Sequence, residues 1–302
     1  MKRIRMAVLM LAVIMLAFSG CGINENKAAK TKDKEILAQL NTMKEQNSRP
    51  KEMFDYLNQN ITQLNKTSAT EAVGLLVSTL EDYEAIYNEE LFTSNYPDLM
   101  FQYFEFEFNY GKIDGIKEPE LKTLLYDITL GGFMIANTEG TFTVVVDYEA
   151  LKTFSEYIDE ELKSYIDIMA LRFNDPVAVD ASIMVSPEEL EKRILQMEEY
   201  IKGYGNEQRE EVIMSMYQGY MMVYMSGTDN SAVFDYDTGA LNPDMFKVFE
   251  NAAAKYKDTV FGRIMNKYVA LLKQEGFMNT EKVQDFILQI DVLAGEELAK
   301  AQ

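Results

Sequence analysis

Three aspartates in a short loop of the second half of the chain have the clearest chemical potential. Asp229, Asp235 and Asp237 lie between two expected helices, with Tyr236 among them. Carboxylate oxygens are the hard ligands that Ca²⁺ prefers, and weak sites suffice at extracellular Ca²⁺ concentrations. The loop departs from the EF-hand pattern, because the position that needs glycine, counted from Asp235, is Ala240. It predicts a weak Ca²⁺ or small-ligand site, with turn and capping aspartates as the alternative.

Neighbouring glutamates could serve acid–base chemistry. Glu105 with Glu107, and Glu160 with Glu161, are the residue types that glycoside hydrolases use as acid and as base or nucleophile. The chain has 49 acidic residues, so such pairs also arise by chance. A pair would indicate a hydrolase only inside a cleft where one carboxyl has a raised pKa.

Methionine and aromatic side chains crowd the helix expected before the acidic loop. Its methionines, whose thioethers suit Cu(I), are Met214, Met216, Met221, Met222 and Met225. Without a histidine or cysteine partner, a flexible apolar stripe facing the core is the favoured interpretation. The rings that could stack on cell-wall sugars are Tyr220, Tyr224, Phe234 and Tyr236. Core packing is the commoner role for aromatics at this density.

The composition excludes several kinds of enzyme. The chain contains no histidine, so Ser-His-Asp hydrolysis, histidine acid–base catalysis and the usual zinc sites are not available. No glycine-rich phosphate loop is present either. A Ser-x-x-Lys match at Ser48 and Lys51 includes Pro50, which disrupts the helical geometry that such a nucleophile needs.

The first residues predict export from the cytoplasm. Lys2, Arg3 and Arg5 precede the apolar run Met6 to Phe18, and small residues then lead to Cys21, the sole cysteine. A basic, an apolar and a cleavage region in this order are typical of a signal peptide. The apolar run is too short to span a bilayer, which takes about 20 residues.

The run Phe18-Ser19-Gly20-Cys21 resembles the cleavage site of bacterial lipoproteins, although Phe18 stands where leucine is usual. This resemblance covers residues 1–21 alone. It implies that residues 1–20 are removed and that Cys21 then carries a diacylglyceryl thioether at the extracytoplasmic face of a bacterial membrane. Several acyl chains hold a protein stably at a membrane. An ordinary secretory signal followed by an incidental Cys21 is the alternative.

The mature chain is expected to be strongly acidic, with 26 lysines and arginines against 49 acidic residues. This balance argues against binding to nucleic acid. Residues 21–51 are an exception, with seven basic and four acidic side chains, and are interpreted as a basic tether next to the anchor. It would lie on anionic lipid or act as a solvated linker. Residues 52–302 form the acidic body, with a possible sub-boundary near 174–186.

Helix-start signals dominate this body. Capping boxes are expected at Ser68 to Glu71 and at Ser186 to Glu189, the second with proline at the first helical position. Further starts are expected at Asp147, Asn242 and Thr280. Helix ends are expected at Gly227 and Gly276. Additional helices are predicted at about 35–46 and 51–65.

Two stretches are less helical. Residues 132–148 contain β-branched and aromatic residues around a turn, which predicts a β-hairpin. Residues 99–110 are ambiguous, and we favour a helix that begins near Pro97. The aromatic residues there that alternate as in a strand are Phe104, Phe106, Phe108 and Tyr110. The expected fold is therefore mainly α, a helical-hairpin array or bundle with one small β-hairpin.

Residues 187–276 read as two units, each with a helix, a short Tyr-x-Asx turn, a longer helix and a glycine stop. They are faintly similar to tetratricopeptide-like repeats of envelope lipoproteins. Two units fall short of the three or so that a solenoid needs, so ordinary helical hairpins are the favoured interpretation.

Together these patterns predict a lipid-anchored helical module of the cell envelope that binds or scaffolds another macromolecule without catalysis. Its expected partners are the membrane, through the lipid at Cys21, and a protein or cell-wall component. The alternatives are a Ca²⁺- or small-ligand-binding lipoprotein and a carboxylate-based cell-wall hydrolase.

Overall fold

The computed structural model describes residues 21–138, 140–204 and 207–299. Its contacts divide the chain into two compact units, Met1–Lys163 and Ser164–Gln302. The architecture is mainly α with small two-stranded antiparallel sheets, which confirms the expected fold class. Within the described ranges, no helix has the length and apolar character that crossing a membrane would require.

The first unit consists mostly of helices. They are α1 (Cys21–Glu45), α2 (Pro50–Asn60), α3 (Lys66–Leu91), α4 (Tyr96–Phe104), α5 (Pro119–Leu130) and the short α6 (Tyr148–Leu151). A hairpin of β1 (Phe133–Thr138) and β2 (Thr141–Val146) lies between α5 and α6. Short 3-10 turns are found at Ile61–Gln63, Tyr110–Gly115 and Lys152–Phe154. Helix α7 (Glu160–Asn174) crosses the boundary between the units.

Helix α3 is the centre of the first unit, and α1, α2 and β2 all pack against it. Its fully buried side chains include Val73, Leu76 and Leu80. The helix begins three residues earlier than the Ser68 capping box predicts. Asn65 is the N-cap, and its side chain accepts a hydrogen bond from the Ser68 backbone N–H. An asparagine caps a helix as well as a serine does, so an earlier cap was available.

The predicted hairpin at 132–148 is confirmed, with Phe133 opposite Val146 and Ile135 opposite Val144. Helix α3 covers the outer edge of β2. The Asn88 side chain donates to the Val144 carbonyl and accepts from the Val144 N–H, each at 2.8 Å. These two bonds take the place of hydrogen bonds from a third strand. They satisfy the Val144 N–H and carbonyl, which would otherwise be unpaired at the edge of the hairpin.

The second unit consists of helices joined by tight connections. After α7 come the two-residue strands β3 (Ala178–Val179) and β4 (Ser182–Ile183), then α8 (Pro187–Gly203) and α9 (Glu207–Ser226). A second short pair, β5 (Gly227–Thr228) and β6 (Ser231–Ala232), leads to α10 (Pro243–Lys255) and α11 (Val260–Gln274). The last helices are α12 (Glu281–Leu288) and α13 (Ile290–Ala299). The two short strand pairs add to the single hairpin that the sequence predicted.

The two predicted helical hairpins are present, because α8 packs on α9 and α10 packs on α11. Ser186 caps α8 through the Glu189 N–H, and Asn242 caps α10 through the Asp244 N–H. Gly227 and Gly276 have φ values of 76° and 67°, the left-handed conformation expected at helix ends.

A buried carboxylate joins the two hairpins of the second unit. Glu198 on α8 is 3% exposed and accepts hydrogen bonds from the N–H groups of Val260 and Phe261, at 2.9 and 2.8 Å. These donors begin α11, where unsatisfied N–H groups and the helix dipole favour a negative charge. Glu191, seven residues earlier on α8, accepts from the buried Tyr224 hydroxyl at 2.7 Å.

Residues 21–51, interpreted from sequence as a tether, are organised in the structure. Residues 21–45 form α1, and Ile36 and Leu40 are buried. Later basic residues of the segment pair with carboxylates: Lys44 with Asp82 at 3.2 Å, Arg49 with Glu90 at 2.9 Å and Lys51 with Asp55 at 2.5 Å. From Asp33 onwards, therefore, this segment packs on the first unit, and carboxylates of that unit neutralise part of its positive charge. The boundary between units lies at 163/164, before the range 174–186, within the unbroken α7.

Candidate functional site

A hollow of about 510 Å³ lies on the first unit where α4 ends. Its lining residues are Phe104, Glu105, Phe106, Glu107, Phe108, Asn109, Tyr110 and Lys112, and we call it the aromatic hollow. Two features noted in the sequence fall in this segment: the alternating aromatic residues from Phe104 to Tyr110, and the carboxylate pair Glu105 and Glu107. The structure brings both features together in one surface.

Glu105 turns the chain away from the helix. The predicted helix is confirmed as far as Phe104, and Glu105 then adopts φ 59° and ψ −108°. The Glu107 N–H donates to the Phe104 carbonyl at 3.2 Å. These angles and this bond match the first central position of a type II′ turn, which strongly favours glycine. A glutamate at that position is strained, and such strain is concentrated at functional sites.

A buried ring, Phe104, and a half-buried one, Phe108, form the base of the hollow. Phe104 is 2% exposed, and its ring centroid lies 4.6 Å from that of Phe108 and 6.1 Å from that of Phe142 on β2. The Phe108 ring meets Tyr110 edge-on at 5.1 Å. Asn109 then accepts from the Gly111 N–H at 2.9 Å and starts the next 3-10 turn. The hairpin and this turn thus hold the segment on both sides.

Other rings of the same segment face solvent. Phe106 is 71% exposed, Tyr110 is 55% exposed and the neighbouring Phe101 is 46% exposed. A cluster of exposed aromatic rings with polar residues around it is typical of an interaction site. Partial burial, with a smaller contribution from the Asp147 carboxylate, raises the pKa of Tyr110.

The charges at the hollow are mainly negative. Glu105 and Glu107 are exposed. The ammonium of Lys112 donates to the Tyr103 carbonyl at 3.2 Å, close to the C-terminus of α4, where the helix dipole favours a cation. The Tyr103 hydroxyl donates to Glu118 at 2.9 Å and accepts from the Lys117 N–H at 3.2 Å, which fixes the chain beyond the hollow.

The other glutamate pair has a different environment. Glu160 is on the first turn of α7, within 4.0 Å of Lys66 and 3.8 Å of Lys163. The lining of the aromatic hollow includes neither Glu160 nor Glu161. Of the two pairs that the sequence suggested for acid–base chemistry, Glu105 and Glu107 are the ones that line this hollow.

The acidic loop of the second unit is built as a turn. The Asp235 carboxylate accepts from the N–H and hydroxyl of Thr238, at 2.8 and 2.6 Å, which lowers the pKa of Asp235. The Tyr236 hydroxyl donates to the Asp229 backbone carbonyl at 2.6 Å, while Tyr236 is 72% exposed. In the part of the chain that the structure describes, no group of three or more acidic, cysteine or histidine side chains is placed to hold a metal ion. A Ca²⁺ site at Asp229, Asp235 and Asp237 stays a prediction.

The methionine-rich helix α9 belongs to the core. Tyr217, Met221 and Met225 are fully buried, as the apolar-stripe interpretation expects, whereas Met214 and Met216 are half-buried and Met222 is exposed. Of the four rings considered for sugar stacking, Tyr224 and Phe234 are buried, Tyr220 is half-buried and Tyr236 is exposed.

Cys21 is the first residue of α1, and residues 1–20, with the expected signal, lie outside the described residues. Lipidation of Cys21 therefore stays a prediction.

Two further hollows lie within single units. One, of about 520 Å³ on the first unit, contains the Arg49–Glu90 pair together with Asp127. The other, of about 280 Å³ on the second unit, is mostly apolar and includes Leu190, Tyr224 and Val233. Neither lining includes an exposed aromatic ring, whereas the aromatic hollow has exposed rings next to the exposed carboxylates Glu105 and Glu107.

No protein-family model, curated protein or solved structure matches this chain.

Proposed function

We propose that this protein is a lipid-anchored binding or scaffold module of the bacterial cell envelope, and that the aromatic hollow is its contact surface. The observation that carries the proposal is the exposure of Phe106 and Tyr110 beside Phe101, in a segment where Phe104 is buried and Phe108 is half-buried. Aromatic residues contribute strongly to protein interfaces because they bury a large area at little entropic cost. Such a surface suits recognition of a macromolecule without catalysis.

The anchor of this module is Cys21, with the folded part on the extracytoplasmic face of the membrane. Helix α1 leads from Cys21 to Asp33, the first buried residue described on it, whose carboxylate accepts a hydrogen bond from the Asn65 side chain. Twelve residues of helix span about 18 Å. The lipid would thus be joined to the first unit by a helical stalk, which separates the acidic body from the membrane surface.

A photo-cross-linking experiment in the bacterial host tests the contact surface. A benzophenone amino acid replaces Phe106, and a matched control carries it in place of Phe92, which is 50% exposed and lies outside the aromatic hollow. We expect a discrete cross-linked envelope component from position 106 and not from position 92. Equal patterns at both positions would count against the hollow as contact surface.

Fractionation of the same cells tests the anchor. The native protein should partition into the detergent phase, and Cys21→Ala should leave the membrane or retain its uncleaved signal. Detergent partition and cleavage unchanged by Cys21→Ala would contradict lipidation.

A carboxylate-based cell-wall hydrolase is a second candidate, because Glu105 and Glu107 line the same hollow. Release of new reducing ends from purified cell wall, lost in Glu105→Gln or Glu107→Gln, is the result that would favour this activity over binding alone. Neither change should affect the fold, since both side chains are exposed.

A further inference from the structure

We propose that the aromatic hollow binds the arginine or lysine side chains of a partner polypeptide. This inference rests on the proposed function and names the chemistry of the partner. Each basic side chain would lie over an exposed ring and form an ion pair with Glu105 or Glu107.

The exposed rings provide the first half of this recognition. A cation within about 6 Å of an aromatic ring centre is attracted by the negative face of the ring. Phe106 and Tyr110 are more than half exposed, so a ligand can reach them. The contacts of Phe108 with Phe104 and Tyr110 hold the base of the hollow in place before any ligand arrives. A preformed site of this kind loses little entropy on binding.

The carboxylates provide the second half. Glu105 and Glu107 alternate in the sequence with Phe104, Phe106 and Phe108, and all five residues line the hollow. Lys112 is the single basic residue of this lining, and its ammonium is engaged by the Tyr103 carbonyl. Two carboxylates against one ammonium leave the hollow net negative. A guanidinium can bond to a carboxylate through two N–H groups while its flat face stacks on a ring.

Long-range electrostatics favour the same partner. The chain has a net charge of −20, or −23 once residues 1–20 are removed. A field of that sign attracts cationic segments and speeds their association. Anionic lipid would be repelled by the same carboxylates, so the observations favour a basic polypeptide over insertion of the exposed rings into a membrane.

Peptide binding tests the proposal directly. The mature lipidated protein, held in phosphatidylcholine nanodiscs, is titrated with a nine-residue peptide of alternating arginine and alanine. A matched peptide has citrulline in place of arginine and so keeps the shape without the charge. We expect the arginine peptide to bind at least tenfold more tightly, and the difference to shrink as salt is raised from about 50 to 500 mM.

Variants assign the binding to the hollow. The double change Phe106→Ala with Tyr110→Ala, and separately Glu105→Gln with Glu107→Gln, should each raise the Kd of the arginine peptide about tenfold. Phe92→Ala is the control for lost aromatic area, and the pair Glu160→Gln with Glu161→Gln is the control for lost charge. Each should leave the Kd of the arginine peptide within twofold of the native value. Circular dichroism and a thermal melt verify that each variant is folded.

Several outcomes would overturn the inference. They are no measurable binding of the arginine peptide, equal Kd values for the arginine and citrulline peptides, or an effect of the control variants as large as that of the hollow variants. Co-sedimentation of the nanodiscs with phosphatidylglycerol vesicles that is lost in Phe106→Ala would identify a membrane surface as the ligand instead. If cross-linking from position 106 is specific while charge has no effect, the contact surface stands and only the basic partner is rejected.

Discussion

The ring of Phe106 meets the ring of Phe101 edge-on, with centroids 5.3 Å apart and planes at 90°. Phe101 is on the last turns of α4, and Phe106 follows the turn at Glu105. The two rings can touch because the chain reverses at Glu105 with a positive φ. A strained backbone position and an exposed aromatic pair thus depend on each other, and the candidate binding surface exists because of this turn.

Replacement of Glu105 by glycine should stabilise the protein. Glycine adopts φ near 60° without the steric cost that a glutamate pays, and we expect the free energy of unfolding to rise by about 1 kcal/mol. Urea denaturation followed by circular dichroism measures this change. Glu107→Gly is the control, and it should be neutral or destabilising. A lower stability for Glu105→Gly would mean that the turn is not strained.

Removal of the buried carboxylate of Glu198 should destabilise the second unit. In Glu198→Ala the N–H groups of Val260 and Phe261 lose their acceptor, and we expect the unfolding free energy to fall by about 3 kcal/mol. The neighbouring Glu199 is exposed, so Glu199→Ala should change stability by less than about 0.5 kcal/mol. Similar losses in the two variants, measured by urea denaturation, would argue that Glu198 does not join the hairpins.

The hydrogen bonds of the turn at Asp235 should be detectable as a lowered pKa of the Asp235 carboxyl group. Hydrogen bonds from the Thr238 hydroxyl and N–H lower the folded-state pKa of Asp235 below its usual value of 3.8. The stabilisation from these bonds is therefore present above the unfolded-state pKa and is lost as the pH falls through the folded-state pKa. In Thr238→Ala the pKa of Asp235, followed by carbon NMR of its carboxyl group, should rise towards 3.8. An unchanged pKa would show that the hydroxyl bond is not formed in solution.

The Ca²⁺ hypothesis for the acidic loop makes a separate prediction. If Asp229, Asp235 and Asp237 hold the ion, millimolar Ca²⁺ should raise the melting temperature, because a ligand that binds the folded state stabilises it. Asp237→Asn should reduce the shift, while Asp244→Asn, beyond the loop at the start of α10, should preserve it. No shift in the native protein would reject the site.

Local signals predicted much of the helical framework correctly. Ser186 caps α8 and Asn242 caps α10 because a side-chain oxygen and the first backbone N–H groups lie within a few residues of each other. Gly227 and Gly276 end helices for a similarly local reason. The start of α3 was misplaced because Asn65 and Ser68 are both adequate caps, and the surrounding contacts decide between them.

Residues 21–51 show what local signals leave open. Their basic composition fits a tether that lies on anionic lipid or a solvated linker, and a helix is predicted at about 35–46; in the structure Ile36 and Leu40 are buried and Lys44 pairs with Asp82. Composition does not reveal whether a helix has an apolar neighbour to pack against. Here α3, whose first residue is 30 positions after Ile36, supplies that neighbour.

By itself, the sequence determined the mainly helical class, the hairpin at 132–148 and the lack of histidine chemistry, because these depend on residue types, caps and periodicity within short windows. The alternation from Phe104 to Tyr110 fitted both a strand and a helix. Only the tertiary structure decided that Phe104 is buried while Phe106 is exposed, because this depends on Phe142, which approaches from a distant hairpin. The same long-range packing turns a carboxylate pair that meant little in the sequence into part of a candidate binding surface.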